Sequence, residues 1–246
     1  MNMQEQLVVN AASDVEKKFE LQEAEYRLPV HWLLRKHGLI GYMRKTELMA
    51  GMVRASGLRG GKLLDVGCGD GRALFELSRL IGPSFECLGI DFSPRAIAFA
   101  RLMAPRIAFE VQDGASLGVE SSSMSLVVAR EVIEHVPPAD VPAFLGEIYR
   151  VLEPGGKVLI TTPSERRKVL EKHFQHFSPA KLHAVVAAAG FRPEQIKGFG
   201  WWPPARFESR YRDVLALPAL WRIHVALGTH ERAPEKADCV MLLAGK

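Results

Sequence analysis

Cysteine is scarce in this 246-residue chain: three residues, Cys68, Cys87 and Cys239, far apart and without a C-x-x-C pair. An odd, scattered set excludes a disulfide framework or a zinc ribbon and suits reduced thiols, so a cytoplasmic location is expected. No stretch approaches the roughly 18 apolar residues of a membrane span. The opening MNMQEQLVVN has no basic segment ahead of an apolar one, so no signal peptide is read there. Repeats and low-complexity tracts are missing, which excludes a solenoid or a fibrous chain. Dense basic clusters are missing too: 32 Lys and Arg against 28 Asp and Glu leave a net charge of +4. That balance permits an anionic partner but argues against a nucleic-acid-binding surface. What is present, 48% hydrophobic and 24% charged residues, is the composition of a globular protein long enough to bury its own core.

Residues 1–58 read as helical, interrupted near Leu28-Pro29, and are expected to form a helical cap. From Lys62 the period changes. Leu63-Leu64-Asp65-Val66 is a short apolar run ending in glycines, the pattern of a strand buried on both faces. Helix 71–81 follows, then a strand at Cys87–Ile90, and a helix at 94–103 opened by Ser93-Pro94. Strands are expected at Ile107–Val111, Met124–Ala129 and Lys157–Thr162, and helices at 140–152 and 179–189. This alternation predicts a doubly wound α/β fold with a parallel, Rossmann-like sheet. Val240-Met241-Leu242-Leu243 reads as a last strand with no helix after it, expected antiparallel at the sheet edge. The stretch 201–235 holds Trp201, Trp202 and Trp221 and reads as an aromatic-rich insertion in the 59–246 domain.

The first strand runs into Asp65-Val66-Gly67-Cys68-Gly69-Asp70-Gly71. Glycines let the backbone turn sharply and approach a ligand, and the next helix aims amides at it. The spacing is G-x-G-x-G with Arg72 where a dinucleotide site needs a small residue, which argues against a pyrophosphate and a nicotinamide enzyme. Asp91 at the end of the second strand suits two ribose hydroxyls, although alone it also suits a helix N-terminus. Asp113-Gly114 follows the third strand and can meet an adenine edge, or form an ordinary turn. Three carboxylates suit a cofactor with an adenosine, an ammonium and a sulfonium and no phosphate.

The segments LLDVGCGDGR, GIDFS, VQDGASL, EVIEHV and LEPGGKVLITTP, in that order, resemble the class I S-adenosylmethionine-dependent methyltransferases over about residues 60–200, with closest similarity to small-molecule enzymes of the ubiquinone-pathway type. The resemblance implies a seven-stranded sheet in the order 3-2-1-4-5-7-6 with strand 7 antiparallel. It implies that Gly67, Cys68 and Gly69 line the methionine part of the cofactor and that Asp65 supports its amino group. Asp91 then holds the ribose, Phe92 packs on the adenine, Asp113 and Gly114 read it, and Arg130 with Glu131 closes the pocket. Arg44 is a candidate clamp for the cofactor carboxylate, or a solvated helix charge.

Glu131, Glu134 and His135 share one face if helical. With His176 they form a candidate divalent-metal set, and a metal is not the expectation. Glu134 or His135 is the candidate base. Tyr26, His31, Tyr42, His176, Trp201 and Trp202 are candidates for the acceptor pocket. The expected activity is methyl transfer to an oxygen or nitrogen of a small molecule. The alternatives are an RNA 2′-O-methyltransferase with a metal at EVIEH, and a non-catalytic S-adenosylmethionine-binding partner protein.

Overall fold

The computed structural model describes residues 15–34, 36–114, 116–201 and 229–246. Helix 15–25 (α1) leads through a turn at 26–33 to α2 (Lys36–Ala55). The alternating core follows: β1 (Gly61–Val66), α3 (Arg72–Ile81), β2 (Phe85–Asp91), α4 (Pro94–Met103), β3 (Ala108–Val111) and β4 (Met124–Arg130). A 3-10 turn at Ile133–His135 and α5 (Val141–Val151) come next. The chain ends with β5 (Leu152–Pro163), α6 (Pro179–Ala188), β6 (Arg192–Trp201), β7 (Thr229–Arg232) and β8 (Cys239–Gly245).

Most expected strand-helix boundaries hold to within a few residues because they are set by local chemistry, but β5 begins at Leu152, five residues before the expected Lys157. Ser93 and Ser178 each accept a backbone N–H of the first helical turn, from Ala96 and Lys181, with proline at the first position. Gly82 ends α3 in a backbone conformation with φ 96°.

One eight-stranded sheet runs in the order β3-β2-β1-β4-β5-β8-β6-β7. β3, β2, β1, β4 and β5 are parallel. β8 pairs antiparallel with both β5 and β6. The last strand therefore lies inside the sheet and not at its edge. Its side chains explain the placement: every residue from Cys239 to Gly245 is buried, which an edge strand with one open flank does not need. The order matches the seven-strand expectation with one addition. β7 pairs with β6 and extends the edge, and it falls within the segment 201–235 read as an insertion. The rest of that segment, residues 202–228, lies outside the described residues, and so does the start of the expected cap, residues 1–14.

Strand residues alternate between two cores. Leu63, Leu126, Val128, Leu159, Met241 and Leu243 face one side, where Met49, Met52 and Val53 of α2 pack with α3 and α4. Leu64, Val127, Ala129, Val158, Ile160 and Leu242 face the other, against Phe144, Leu145 and Ile148 of α5 and Leu182 of α6. This two-sided burial is why these strands read as continuous apolar runs. It also aligns the carboxyl ends of β1, β2 and β4 along one crevice, where the chain order switches sides between β1 and β4. Among the described residues no helix is long and apolar enough to cross a membrane.

Candidate active site

A cavity of about 710 Å³ opens at that crevice, roofed by α1, the 26–33 turn and α2. Its floor is the loop after β1. Gly67, Gly69 and Gly71 all have positive φ (71°, 56° and 76°), the left-handed region that glycine adopts without a Cβ penalty. A Cβ on Gly69 would lie 2.5 Å from the Tyr26 hydroxyl, so the loop and the roof meet too closely for any side chain.

Three carboxylates stand at the strand ends, and they differ in how they are held. Asp65 is 2% exposed, and its Oδ1 is buried without a hydrogen-bond partner. Burial pushes its pKa up to about 7, with the Arg130 guanidinium pulling the other way and the Asp91 charge adding to the rise. Asp91 accepts the Gly69 N–H at 2.8 Å and the Ser93 N–H at 2.9 Å. Its pKa is raised, by burial first, against those two backbone bonds. Asp113 and Gly114 lie on the same wall. Phe92 lines the cavity and meets Phe19 of α1 edge-on, with ring centroids 5.1 Å apart.

The roof is pinned by a residue that the sequence did not single out. Asp70 is fully buried. It accepts the His31 backbone N–H at 2.9 Å and lies 3.0 Å from His31 Nδ1, and its own carbonyl accepts the Trp32 indole N–H at 2.8 Å. Tyr26, His31 and Tyr42 line the cavity, and Arg130 stacks over the Tyr42 ring at 4.0 Å.

The EVIEH segment departs from the expected helical face. Glu131 has φ 56°, uncommon for a residue with a side chain, and only Ile133–His135 turn, as a 3-10 step. The three side chains still line the cavity, but each is held by different partners. Glu131 pairs with Lys45 and accepts the Thr161 hydroxyl at 2.9 Å. Burial alone would raise its pKa; the Lys45 ammonium overrides that and holds it at about 2. Glu134 is fully buried, accepts the Thr162 hydroxyl at 3.0 Å on one oxygen, and has no partner on the other. Burial and the Glu131 charge hold its pKa well above the usual range. His135 lies 3.2 Å from the Lys172 carbonyl, and burial lowers its pKa to about 4.

Two expected site residues lie elsewhere. Arg44 does not line the cavity; it pairs with Glu47 at 2.7 Å on the exposed side of α2. Lys45, the next residue, turns about 100° around the helix and reaches Glu131. Tyr42, Lys45 and Met49 share an i, i+3, i+7 stripe, the signal that separates Lys45 from Arg44. His176 is 4% exposed and sits behind His173, which lines the cavity in its place. Glu134, His135 and His173 each bring one atom within 4.8 Å of the others, a spacing that admits a divalent cation. Cys68 lines the floor, as expected. Cys239 and Asp238, at the start of β8, also line the cavity and were not singled out. Trp201 ends β6, and Trp202 lies outside the described residues.

The donor set fits S-adenosylmethionine. The buried carboxyl oxygen of Asp65 awaits a donor, the glycine floor leaves backbone room, and the walls supply acids and apolar surface. An open, doubly wound sheet with an antiparallel strand inserted beside β5 and a glycine loop after β1 defines the class I methyltransferases. Residues 63–156 match the family model for a methyltransferase domain. The chain carries a class I S-adenosylmethionine-dependent methyltransferase domain.

Among curated proteins it is 30% identical over 175 residues to a probable S-adenosylmethionine-dependent methyltransferase of Mycolicibacterium smegmatis, covering 68% of this chain and 62% of that protein. It is 29% identical over 179 residues to a ubiquinone biosynthesis O-methyltransferase of Xanthomonas euvesicatoria pv. vesicatoria, covering 62% and 73%. Among solved structures, a putative sarcosine dimethylglycine methyltransferase from Galdieria sulphuraria superposes with a TM-score of 0.59 at 16% identity, covering 82% of this chain and 85% of that one.

Proposed function

We propose that the whole protein transfers a methyl group from S-adenosylmethionine to a hydroxyl or amine of a small-molecule acceptor. The observation that carries the reading is the buried, partnerless Asp65 oxygen at the floor of the cavity. A desolvated carboxyl without a donor is unfavourable by about 1–3 kcal/mol, and a bound ammonium removes that deficit. The similarity to a ubiquinone biosynthesis O-methyltransferase supports a small-molecule acceptor.

S-adenosylmethionine supplies an electrophilic methyl on a sulfonium. The chain's own residues bind and orient. Asp65 receives the amino group, and Gly67, Cys68 and Gly69 line the methionine portion. Asp91 keeps one lone pair on each oxygen beyond its two backbone bonds, enough for ribose hydroxyls. Phe92 packs on the adenine, and Asp113 with Gly114 borders its edge. Arg130 and Glu131, braced by Tyr42 and Lys45, close the end that leads to Glu134 and His135. There the acceptor sits, under Tyr26, His31 and Tyr42, with water excluded by the roof. Alignment of acceptor and donor in such a site supplies much of the rate. The 1–58 segment acts as cap and the remainder as catalytic domain.

Titration with S-adenosylhomocysteine by calorimetry, followed by incubation of labelled S-adenosylmethionine with a panel of catechols, phenols and amines, tests the reading. Micromolar binding and label in at least one acceptor are expected. No binding refutes it.

A further inference from the structure

The cavity holds a second feature beyond the binding residues: a chain of hydrogen-bonded imidazoles. His176 Nδ1 lies 3.1 Å from the Arg167 carbonyl, and His173 Nδ1 lies 2.8 Å from His176 Nε2. A carbonyl only accepts, so His176 carries its proton on Nδ1. A neutral imidazole has one N–H, which leaves His176 Nε2 as a lone pair. The ring facing it must therefore donate, so His173 also carries its proton on Nδ1. The consequence is a bare Nε2 on His173, on the ring edge turned away from His176, in a residue that lines the cavity.

The scaffold under this pair is built. Both rings are under 8% exposed. The loop that carries them is pinned by Phe174 N–H to the Glu134 carbonyl at 2.9 Å and by His173 N–H to the Leu170 carbonyl at 3.0 Å. The Lys18 ammonium adds a bond to the His173 carbonyl at 3.1 Å. His135 packs edge-on against His173, ring centroids 4.6 Å apart, and its own Nδ1 is turned to the Lys172 carbonyl. Burial, with the Lys172 ammonium nearby, lowers the His173 pKa to about 3.

We propose that His173, locked by His176 in its Nδ1–H tautomer, accepts a hydrogen bond from the O–H or N–H of the methyl acceptor and so turns that atom's lone pair toward the methyl donor. His173 touches the substrate, and His176 is a positioning residue. The inference rests on the transferase reading and narrows it: the acceptor atom carries a hydrogen, as a hydroxyl or a primary or secondary amine does. A carboxylate or a tertiary amine offers this site nothing to accept.

The test uses the full chain with ¹⁵N-labelled histidine, in EDTA, read by long-range ¹H–¹⁵N correlation and assigned with His173→Gln. The expected pattern is a protonated Nδ1 and a bare Nε2 on both His173 and His176. In His176→Phe the His173 ring should move to the Nε2–H form, while in His176→Gln, whose side-chain oxygen can still accept, it should stay. With catechol as probe acceptor, His176→Phe should lower kcat by about 10²-fold, as for a misplaced reactant, with S-adenosylhomocysteine affinity unchanged and His176→Gln largely restored. An Nε2–H His173 in the wild type, or full kcat in a folded His176→Phe, overturns the inference. A wild type with the expected tautomers that methylates nothing refutes the transferase reading instead.

Discussion

Cofactor binding should release a proton from Asp65. With its carboxyl at about pH 7 in the free protein and an ordinary value of 3.8, the displacement of about 3 pH units corresponds to about 4 kcal/mol at about 1.36 kcal/mol per unit. The sign follows from the raised value. The folded chain keeps this proton up to neutral pH while the unfolded chain has lost it, so the shift weakens the free fold as pH rises from 3.8 through 7 and has no such effect in acid. A ligand ammonium beside Asp65 favours the charged form, so only the ionised fraction binds well. That fraction is about 0.9 at pH 8, 0.5 at pH 7 and 0.1 at pH 6, and the apparent Kd rises inversely with it. S-adenosylhomocysteine should therefore bind about tenfold more weakly at pH 6 than at pH 8.

Calorimetry in phosphate and in Tris reads the same event directly. The binding heats should differ at pH 7 by the buffer's ionisation enthalpy for about half a proton. Asp65→Asn should abolish the buffer dependence and weaken binding. A Kd flat from pH 6 to 8, with equal heats in both buffers, refutes the placement of a cation at Asp65.

Gly69→Val places a side chain where a Cβ already comes within 2.5 Å of the Tyr26 hydroxyl, at φ 56°. It should weaken S-adenosylhomocysteine by more than about tenfold, or 1.4 kcal/mol, and a folded variant with normal affinity would show the loop to be only a turn. Asp70→Ala leaves the His31 backbone N–H without its acceptor and should lower unfolding stability by about 1–3 kcal/mol; an unchanged denaturant midpoint would show that the roof docks by other means. Turnover should survive EDTA, and rescue of a treated enzyme by Mg²⁺ would instead put a cation among Glu134, His135 and His173.

The parallel half of the sheet was legible because buried strands declare themselves locally: β1 is an apolar run that ends in the glycine loop, and β2 ends in Asp91 just before the Ser93-Pro94 helix start. The carboxylates were legible for the same reason. Asp65 and Asp91 stand in β1 and β2 near their carboxyl ends, where the topology of any doubly wound sheet places a ligand. Edge placement of the last strand failed because the residues of β8 pair with β5 and with β6, contacts that no local pattern records. The helical reading of EVIEH failed on one backbone angle: Glu131 takes a positive φ and hands its N–H to the Thr161 carbonyl at 2.8 Å, which tertiary pairing with β5 enforces.

What the sequence hid is the part of the site that arrives from outside the strand-loop-helix units. Arg44 and Lys45 are equally basic neighbours, and only the face of α2 that packs on the sheet decides which one meets Glu131. The sequence reading takes His176 of HFQH as the candidate, and only the structure, with the Arg167 carbonyl behind His176, brings His173 to the cavity instead. With that carbonyl in place, the proposed order follows: the inner ring orients and the outer ring receives. On the proposed reading, division of labour between two identical side chains is set by a backbone carbonyl, through hydrogen-bond directions that composition and spacing do not encode.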